Sequence, residues 1–141
     1  MKKQILHTQC QLGSFTLKNR ICIPPLVVWE WSDESGKVVQ EEIEHYQRFV
    51  AGGAGLVFQE ATSVCPEGRL TNTQLGIWED AQLEGLKNIV QILHNAKMPA
   101  IVQLSYAGLL AADDKNRVSP SSFFYMKNGE NIPEENCLFR K

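Results

Sequence analysis

Three short apolar runs, separated by two amphipathic segments, set the hydrophobic pattern of this chain. The runs lie near residues 21–25, 55–60 and 100–104 and contain mostly aliphatic side chains. Short, nearly uninterrupted apolar runs are typical of parallel strands that are covered on both faces. The pattern therefore predicts a β-α-β-α-β order that extends to residue 104.

The two segments between the runs have the periodicity of helices. Glu41–Ala51 places Ile43, Tyr46 and Phe49 on one face, starts with acidic residues and stops at Gly52–Gly53. For the second helix we predict an N-cap at Asp80 and an end near Asn95. Its helically spaced apolar positions are Leu83, Leu86, Ile89, Val90 and Leu93.

A short hairpin is predicted before the first core strand. Leu12–Leu17 and Ile21–Ile23 flank a polar pair, Lys18–Asn19, which suits a turn. Two consecutive prolines, Pro24 and Pro25, then end the strand because neither has an N–H to donate to a sheet.

Each predicted strand leads, at its carboxyl end, into residues suited to line a site: Pro24–Val27, then Glu60 and Ala61, then Gln103, Ser105 and Tyr106. Buried parallel strands with functional residues at their carboxyl ends are typical of a TIM (β/α)8 barrel. Such a barrel takes about 250 residues, whereas this chain has 141. The predicted fold class is therefore α/β, a partial TIM barrel with about the first three βα units and a short N-terminal hairpin.

The character of the sequence changes after Gly108. The following residues are polar and turn-rich, and they have almost no periodicity. We expect residues 1–110 to form the N-terminal part of the barrel. Residues 111–141 are predicted to be a long loop over the barrel mouth or a disordered tail.

Composition narrows the classes of function. A net charge of −2 and a pI near 5.9 give no electrostatic footprint for nucleic acid or an anionic membrane. No apolar run approaches the length of a membrane span, and no secretory signal is recognisable. The four cysteines are scattered, which disfavours a metal site or a disulfide framework. We expect a cytoplasmic protein with small-molecule or protein partners and no metal.

Four motifs occur in a fixed order and spacing: LKNRI at Leu17–Ile21, GGAGLVFQEATSVCPEGR at Gly52–Arg69, LGIWED at Leu75–Asp80 and VQLSYAG at Val102–Gly108. Together they resemble the N-terminal part of the Old Yellow Enzyme family of FMN-dependent NAD(P)H oxidoreductases, and the resemblance runs from about Leu12 to Pro120. It implies a TIM barrel with bound FMN, and this FMN accepts hydride from NAD(P)H. The flavin N5 then passes hydride to the β-carbon of an activated alkene such as an enone or enoate.

The resemblance also implies site residues, which makes residues 1–110 an FMN-binding half-site. An apolar wall against the isoalloxazine would be formed by Pro24, Pro25, Leu26 and Val27. Ala61 stands where a small residue lets a backbone amide approach the flavin. Gln103 matches a glutamine that meets the pyrimidine edge, where a carboxamide both donates and accepts. Trp29 falls in the implied substrate pocket, where an aromatic ring stacks on a planar substrate.

The chain also departs from the family pattern. Val27 replaces a Thr or Cys whose side chain reaches the flavin, and valine has no donor with which to tune the flavin potential. The usual HAGR sequence is here Tyr106-Ala107-Gly108-Leu109. The substrate-binding His/His or His/Asn pair, the arginine over the flavin and the phosphate loops correspond to positions beyond Lys141. No catalytic residue is therefore assigned within this chain.

Several alternatives stay open. Glu60 is equally well explained as a carboxylate facing the site and as an ion-pair partner of Arg69 or Arg20. Cys22 is expected to be a buried apolar filler. Three functions fit the sequence: the N-terminal part of an ene-reductase, a flavin barrel with a different redox substrate, or a catalytically silent fragment. The last would act only by self-association through open sheet edges.

Overall fold

The computed structural model describes residues 4–28, 31–113, 117–121, 123–127 and 130–134. The strands are β1 (Cys10–Leu12), β2 (Phe15–Leu17), β3 (Cys22–Ile23), β4 (Leu56–Ser63), β5 (Ala100–Ser105), β6 (Phe123–Lys127) and β7 (Glu130–Glu134). The α-helices are α1 (Gln40–Gly52) and α2 (Leu83–Asn95). Within these ranges, no helix has the length and apolar content needed to cross a membrane.

A three-stranded parallel sheet with the order β3-β4-β5 forms the centre of the fold. Ile23 pairs with Val57, and Val57 pairs in turn with Ala100. Helix α1 connects β3 to β4, and α2 connects β4 to β5. The β-α-β-α-β order expected from the apolar runs is confirmed.

The hydrophobic core lies between this sheet and the two helices. Helix α1 contributes Ile43 and Tyr46, and α2 contributes Ile89 and Leu93. From the sheet, Ile23, Val57 and Ala100 pack against them, together with Ile21 just before β3. The helices therefore cover one face of the sheet.

The helix starts depend on side chains that accept hydrogen bonds from the preceding backbone. Glu42 Oε2 accepts from the Val39 N–H at 2.8 Å. Before α2, the segment Asp80–Gln82 forms a 3₁₀ turn, and Gln82 Oε1 accepts from the Trp78 N–H at 2.8 Å. The predicted N-cap at Asp80 is wrong: Asp80 is the first residue of this 3₁₀ turn, Glu79 lies at its cap position, and α2 begins only at Leu83.

The N-terminal hairpin exists, but its predicted pairing is wrong. Strands β1 and β2 pair antiparallel, with Cys10 opposite Leu17. The turn lies at Gly13, whose φ of 57° favours glycine. Asn19 belongs to the lead-in to β3 instead: its Nδ2 donates to the Gly53 carbonyl at 2.8 Å, and its Oδ1 accepts from the Ile21 N–H at 3.0 Å.

Part of the segment 111–141 forms a second hairpin. Strands β6 and β7 pair antiparallel, with Tyr125 opposite Ile132. The sequence signal that the loop prediction overlooked is the Asn-Gly pair at positions 128–129, a dipeptide favoured in two-residue hairpin connections. The domain boundary at residue 110 stays a prediction.

Candidate functional site

Two of the candidate residues are neighbours on adjacent strands. Ala61 of β4 pairs with Gln103 of β5 near the carboxyl ends of both strands. Val28, which follows the segment Pro24–Val27, donates its N–H to Glu60 Oε2 at 3.0 Å. The structure thus brings the end of the first strand segment close to the Ala61–Gln103 pair.

Gln103 lies on the face of the sheet opposite the helices. Ala100 packs into the helix-covered core, and side chains alternate between the two faces along a strand. The third residue after Ala100 therefore faces away from α1 and α2, and Gln103 is exposed.

The segment Pro24–Val27, here called the apolar wall, continues beyond the end of β3. Its members differ in exposure: Leu26 is 63% exposed, whereas Pro25 and Val27 are half-buried. An accessible apolar segment beside a carboxamide and a small residue is suited to a flat, mainly apolar ligand. Trp29, the predicted substrate contact, lies outside the described residues and stays a prediction.

Glu60 has neither of the two roles considered from the sequence. Its carboxylate is bound to the Val28 N–H and to the Tyr46 hydroxyl, and the residue is 1% exposed. Burial raises the pKa of Glu60 to about 7, although the hydrogen bonds from Val28 and Tyr46 lower it. Glu60 therefore joins the strand end to α1 inside the fold.

A second buried carboxyl, Glu42, lies on the same helix as Tyr46. Burial raises the pKa of Glu42 to about 7, and the negative charge of Glu60 adds to this increase. The pKa of Tyr46 is raised as well, chiefly by burial and then by the charge of Glu60. These three groups form a buried acidic cluster without an opposing positive charge in their immediate contacts among the described residues.

Gln74 holds the backbone of Ala61, and sequence reasoning missed it. Its Nε2 donates to the Ala61 carbonyl at 2.6 Å, and its Oε1 accepts from the Leu70 N–H at 2.6 Å. Gln74 is fully buried although it lies in a polar loop. A single glutamine in a non-periodic segment gives no sequence signal for this role.

The loops that follow β3 and β4 are joined by hydrogen bonds. The Gly76 N–H donates to the Gly36 carbonyl at 2.9 Å, and Arg69 donates to the Glu34 carbonyl at 2.9 Å. Gln82 Nε2 donates to the Ser35 carbonyl at 2.9 Å. A Cβ on Gly36 would lie 2.5 Å from the Trp78 ring, so this contact requires glycine. The two loops form one continuous rim at the carboxyl ends of the strands.

Replacing Gln74 by Ala should lower the free energy of unfolding by about 2 kcal/mol. The change leaves two partly buried backbone groups, the Leu70 N–H and the Ala61 carbonyl, without the Gln74 side chain as partner. Urea unfolding followed by circular dichroism measures the effect. Gln40→Ala on the exposed surface of α1 is the matched control and should change stability by less than about 0.5 kcal/mol. Equal effects of both substitutions would contradict the role of Gln74.

Cys22 is exposed, and the expectation of a buried filler is wrong. Its neighbours Ile21 and Ile23 pack into the helix-covered core, so strand alternation places Cys22 on the opposite face.

Tyr106, at the position of the family histidine, lies against Gly68: a Cβ on Gly68 would be 2.6 Å from Tyr106 Cδ2. The aromatic ring at this position therefore packs on the loop after β4.

Within the described ranges, no cluster of three or more metal-ligating side chains occurs.

An open parallel sheet with candidate ligand groups at its carboxyl edge is the start of an α/β barrel. The chain belongs to the NADH:flavin oxidoreductase / NADH oxidase family, whose sequence profile matches residues 6–141. This family uses FMN and an NADH-type reductant. The resemblance inferred from the four motifs is thereby confirmed.

Solved structures support the same conclusion. The Old Yellow Enzyme homologue from Zymomonas mobilis is 27% identical with a TM-score of 0.76, and the match covers 95% of this chain and 39% of that one. Morphinone reductase in complex with tetrahydroNAD is 29% identical with a TM-score of 0.72, covering 94% and 39%. The Old Yellow Enzyme from Trypanosoma cruzi is 33% identical with a TM-score of 0.69, covering 79% and 29%. The predicted partial TIM barrel is confirmed, and the chain spans less than two fifths of the length of these relatives.

Proposed function

We propose that this chain supplies one half of the FMN site in an NAD(P)H-dependent reductase of activated alkenes. The observation that carries the proposal is the pairing of Ala61 with Gln103 on the open face of the sheet, close to the apolar wall. These groups lie at the carboxyl ends of parallel strands, where ligands bind in barrels. The family membership supports FMN as the ligand.

The donor set of this face fits a flavin. The apolar wall would contact the isoalloxazine, and the exposed Gln103 carboxamide would donate to and accept from its pyrimidine edge. Ala61, held by Gln74, leaves room for the ring next to the backbone. Trp29 would stack on the substrate. When bound, FMN would supply the hydride transfer between NAD(P)H and the β-carbon of an enone or enoate.

Three similar structures support the choice of reductant and substrate class. One similar structure is a morphinone reductase in complex with tetrahydroNAD, which supports a nicotinamide donor. Others are Old Yellow Enzymes. Because the match covers only 39% of the reductase chain, activity is proposed for a protein that contains the rest of the barrel. The cytoplasmic location expected from the sequence stays a prediction.

Self-association of this 141-residue chain is the second candidate. Strand β5 lies at the edge of the sheet, and it exposes Ile101, Val102 and Leu104. Exposed apolar edge strands tend to pair with another chain. A chain that acts only through such contacts would be catalytically silent, and its oligomeric state would depend on concentration.

The 141-residue chain, mixed with FMN and NADH under anaerobic conditions, should show weak FMN binding and little or no reduction of a simple enone. Roughly three of eight barrel units are present, so the mouth stays open to water. Flavin fluorescence measures binding, NADH absorbance measures turnover, and sizing chromatography reports the oligomeric state.

Gln103→Leu should weaken the residual FMN binding about tenfold, because it removes paired hydrogen bonds at one edge of the ring. Gln91→Leu, on the exposed surface of α2, is the matched control and should leave FMN binding unchanged. Equal affinity of the two variants would contradict the assignment of Gln103. Turnover by an intact monomer at the rate of a full-length relative would contradict the half-site.

A further inference from the structure

Glu60 connects three parts of the fold through one buried side chain. Its Oε2 accepts a hydrogen bond from the Val28 N–H at 3.0 Å, and its Oε1 lies 3.5 Å from the Tyr46 hydroxyl. That hydroxyl accepts in turn from the Glu60 N–H at 3.0 Å. Helix α1 therefore fixes the orientation of Glu60, whose carboxylate binds the segment that follows β3.

The hydrogen bond to Val28 lies at the far end of the apolar wall. The ladder between β3 and β4 ends with the pair Ile23–Val57. The next two residues, Pro24 and Pro25, have no N–H with which to extend it. The Glu60 carboxylate thus ties the wall to β4 beyond the point where the sheet ladder stops.

A β-bulge explains how Glu60 reaches this position. The register between β4 and β5 shifts between Gln59 and Ala61, so Glu60 is the extra residue on β4. A bulge redirects the side chain of the extra residue and leaves the following pair in register. Glu60 can therefore point toward Tyr46 and Val28 while Ala61 keeps Gln103 as its partner.

We infer that Glu60 is a positioning residue that holds the apolar wall at the correct distance from Ala61 and Gln103 for a planar cofactor. The inference rests on the proposed flavin site. A carboxylate is a stronger acceptor for a backbone N–H than a neutral group, and the Val28 N–H has this carboxylate as its partner. Removing the carboxylate should free the wall, whereas the apolar packing of Tyr46 with the other core residues stays in place.

Amide hydrogen exchange of the 141-residue chain, measured by NMR, tests the contact directly. In Glu60→Leu the Val28 amide should exchange at least about tenfold faster, since it loses the side-chain oxygen that accepts its hydrogen bond. Glu60→Gln retains an acceptor oxygen and should restore most of the protection. The matched control is Glu42→Leu: Glu42 is equally buried and accepts from the Val39 N–H at 2.8 Å. It should change exchange at Val39 and leave Val28 unchanged.

Unchanged exchange at Val28 in Glu60→Leu would overturn the inference, as would equal effects of the Glu60 and Glu42 variants at Val28. If Glu60→Leu does not fold, Tyr46→Phe decides the matter. It keeps the carboxylate but removes the hydroxyl that orients it, so faster exchange at Val28 supports the inference and unchanged exchange overturns it.

Titration with FMN separates this inference from the proposed function. Shifts of the Val27 and Ala61 amides should occur in the unmodified chain and in Glu42→Leu, with about tenfold weaker binding in Glu60→Leu. Equal FMN affinity in all three would overturn the positioning role. Absence of FMN-induced shifts in the unmodified chain would contradict the proposed flavin site, whereas the exchange result at Val28 would still decide whether Glu60 holds the wall.

Discussion

Raising the pH from 5 to 8 should lower the free energy of unfolding by about 5 kcal/mol. Glu42 and Glu60 each have a pKa raised to about 7 by burial, compared with 4.5 for an ordinary glutamate. The folded chain therefore binds more protons than the unfolded chain between these values. The stabilisation is complete below pH 4.5 and is lost as the pH rises through about 7. Urea unfolding at pH 5, 6, 7 and 8 measures the slope.

The double substitution of Glu42 and Glu60 by Gln is the control for this dependence. It removes both titrations and keeps acceptor oxygens for the Val39 and Val28 N–H groups. His45 acts in the opposite direction: burial, followed by the nearby charge of Arg48, lowers its pKa, so its contribution is lost at low pH. The double variant should therefore have a flat or slightly rising stability between pH 5 and 8. A rising stability in the unmodified chain would contradict the prediction.

Leu93→Ala should lower the free energy of unfolding by about 3 kcal/mol. Leu93 is 0% exposed and packs with Ile89 and Met98 in the core between helices and sheet. The substitution removes buried apolar surface and leaves a cavity. Thermal and urea unfolding, compared with the unmodified chain at pH 6, measure the loss.

Leu104→Ala is the matched control, with the same chemical change at a position that is 61% exposed. It should change stability by less than about 0.5 kcal/mol, and it should reduce self-association through β5. Comparable destabilisation by the two substitutions would show that the Leu104 side chain is covered in solution, which would contradict the open edge at β5.

The features predicted correctly from the sequence are those with a hydrophobic period. The strands around Val57 and Ile101 and the helix face around Ile89 follow from where apolar residues lie. The sequence places the hairpin turn at Lys18–Asn19, because this pair has the composition of a turn. The structure has the turn at Gly13. Asn19 instead binds the Gly53 carbonyl, a tertiary contact that the local sequence does not indicate. The cap at Asp80 is wrong because a 3₁₀ turn capped at Glu79 precedes α2 and takes Asp80 as its first residue.

The candidate site residues were inferred chiefly from a resemblance, and their ligand contacts stay predictions. Ala61 and Gln103 are 42 residues apart in the sequence, and they become neighbours through the register of the parallel strands β4 and β5. The buried hydrogen bonds of Gln74 and Glu60 had no periodic signal, because each depends on a loop or a bulge. The role of a polar side chain that binds distant backbone groups can be assigned only when its hydrogen-bond partners are known.

The hydrogen bonds between the two rim loops have a consequence for how the polypeptide assembles. All of these contacts lie between Glu34 and Gln82, so none requires a residue later in the chain. Synthesis delivers the N-terminal part of a chain first. The contacts between the two loops can therefore form before the Ala107 and Ala112 N–H groups emerge to bind the Gly68 and Arg69 carbonyls.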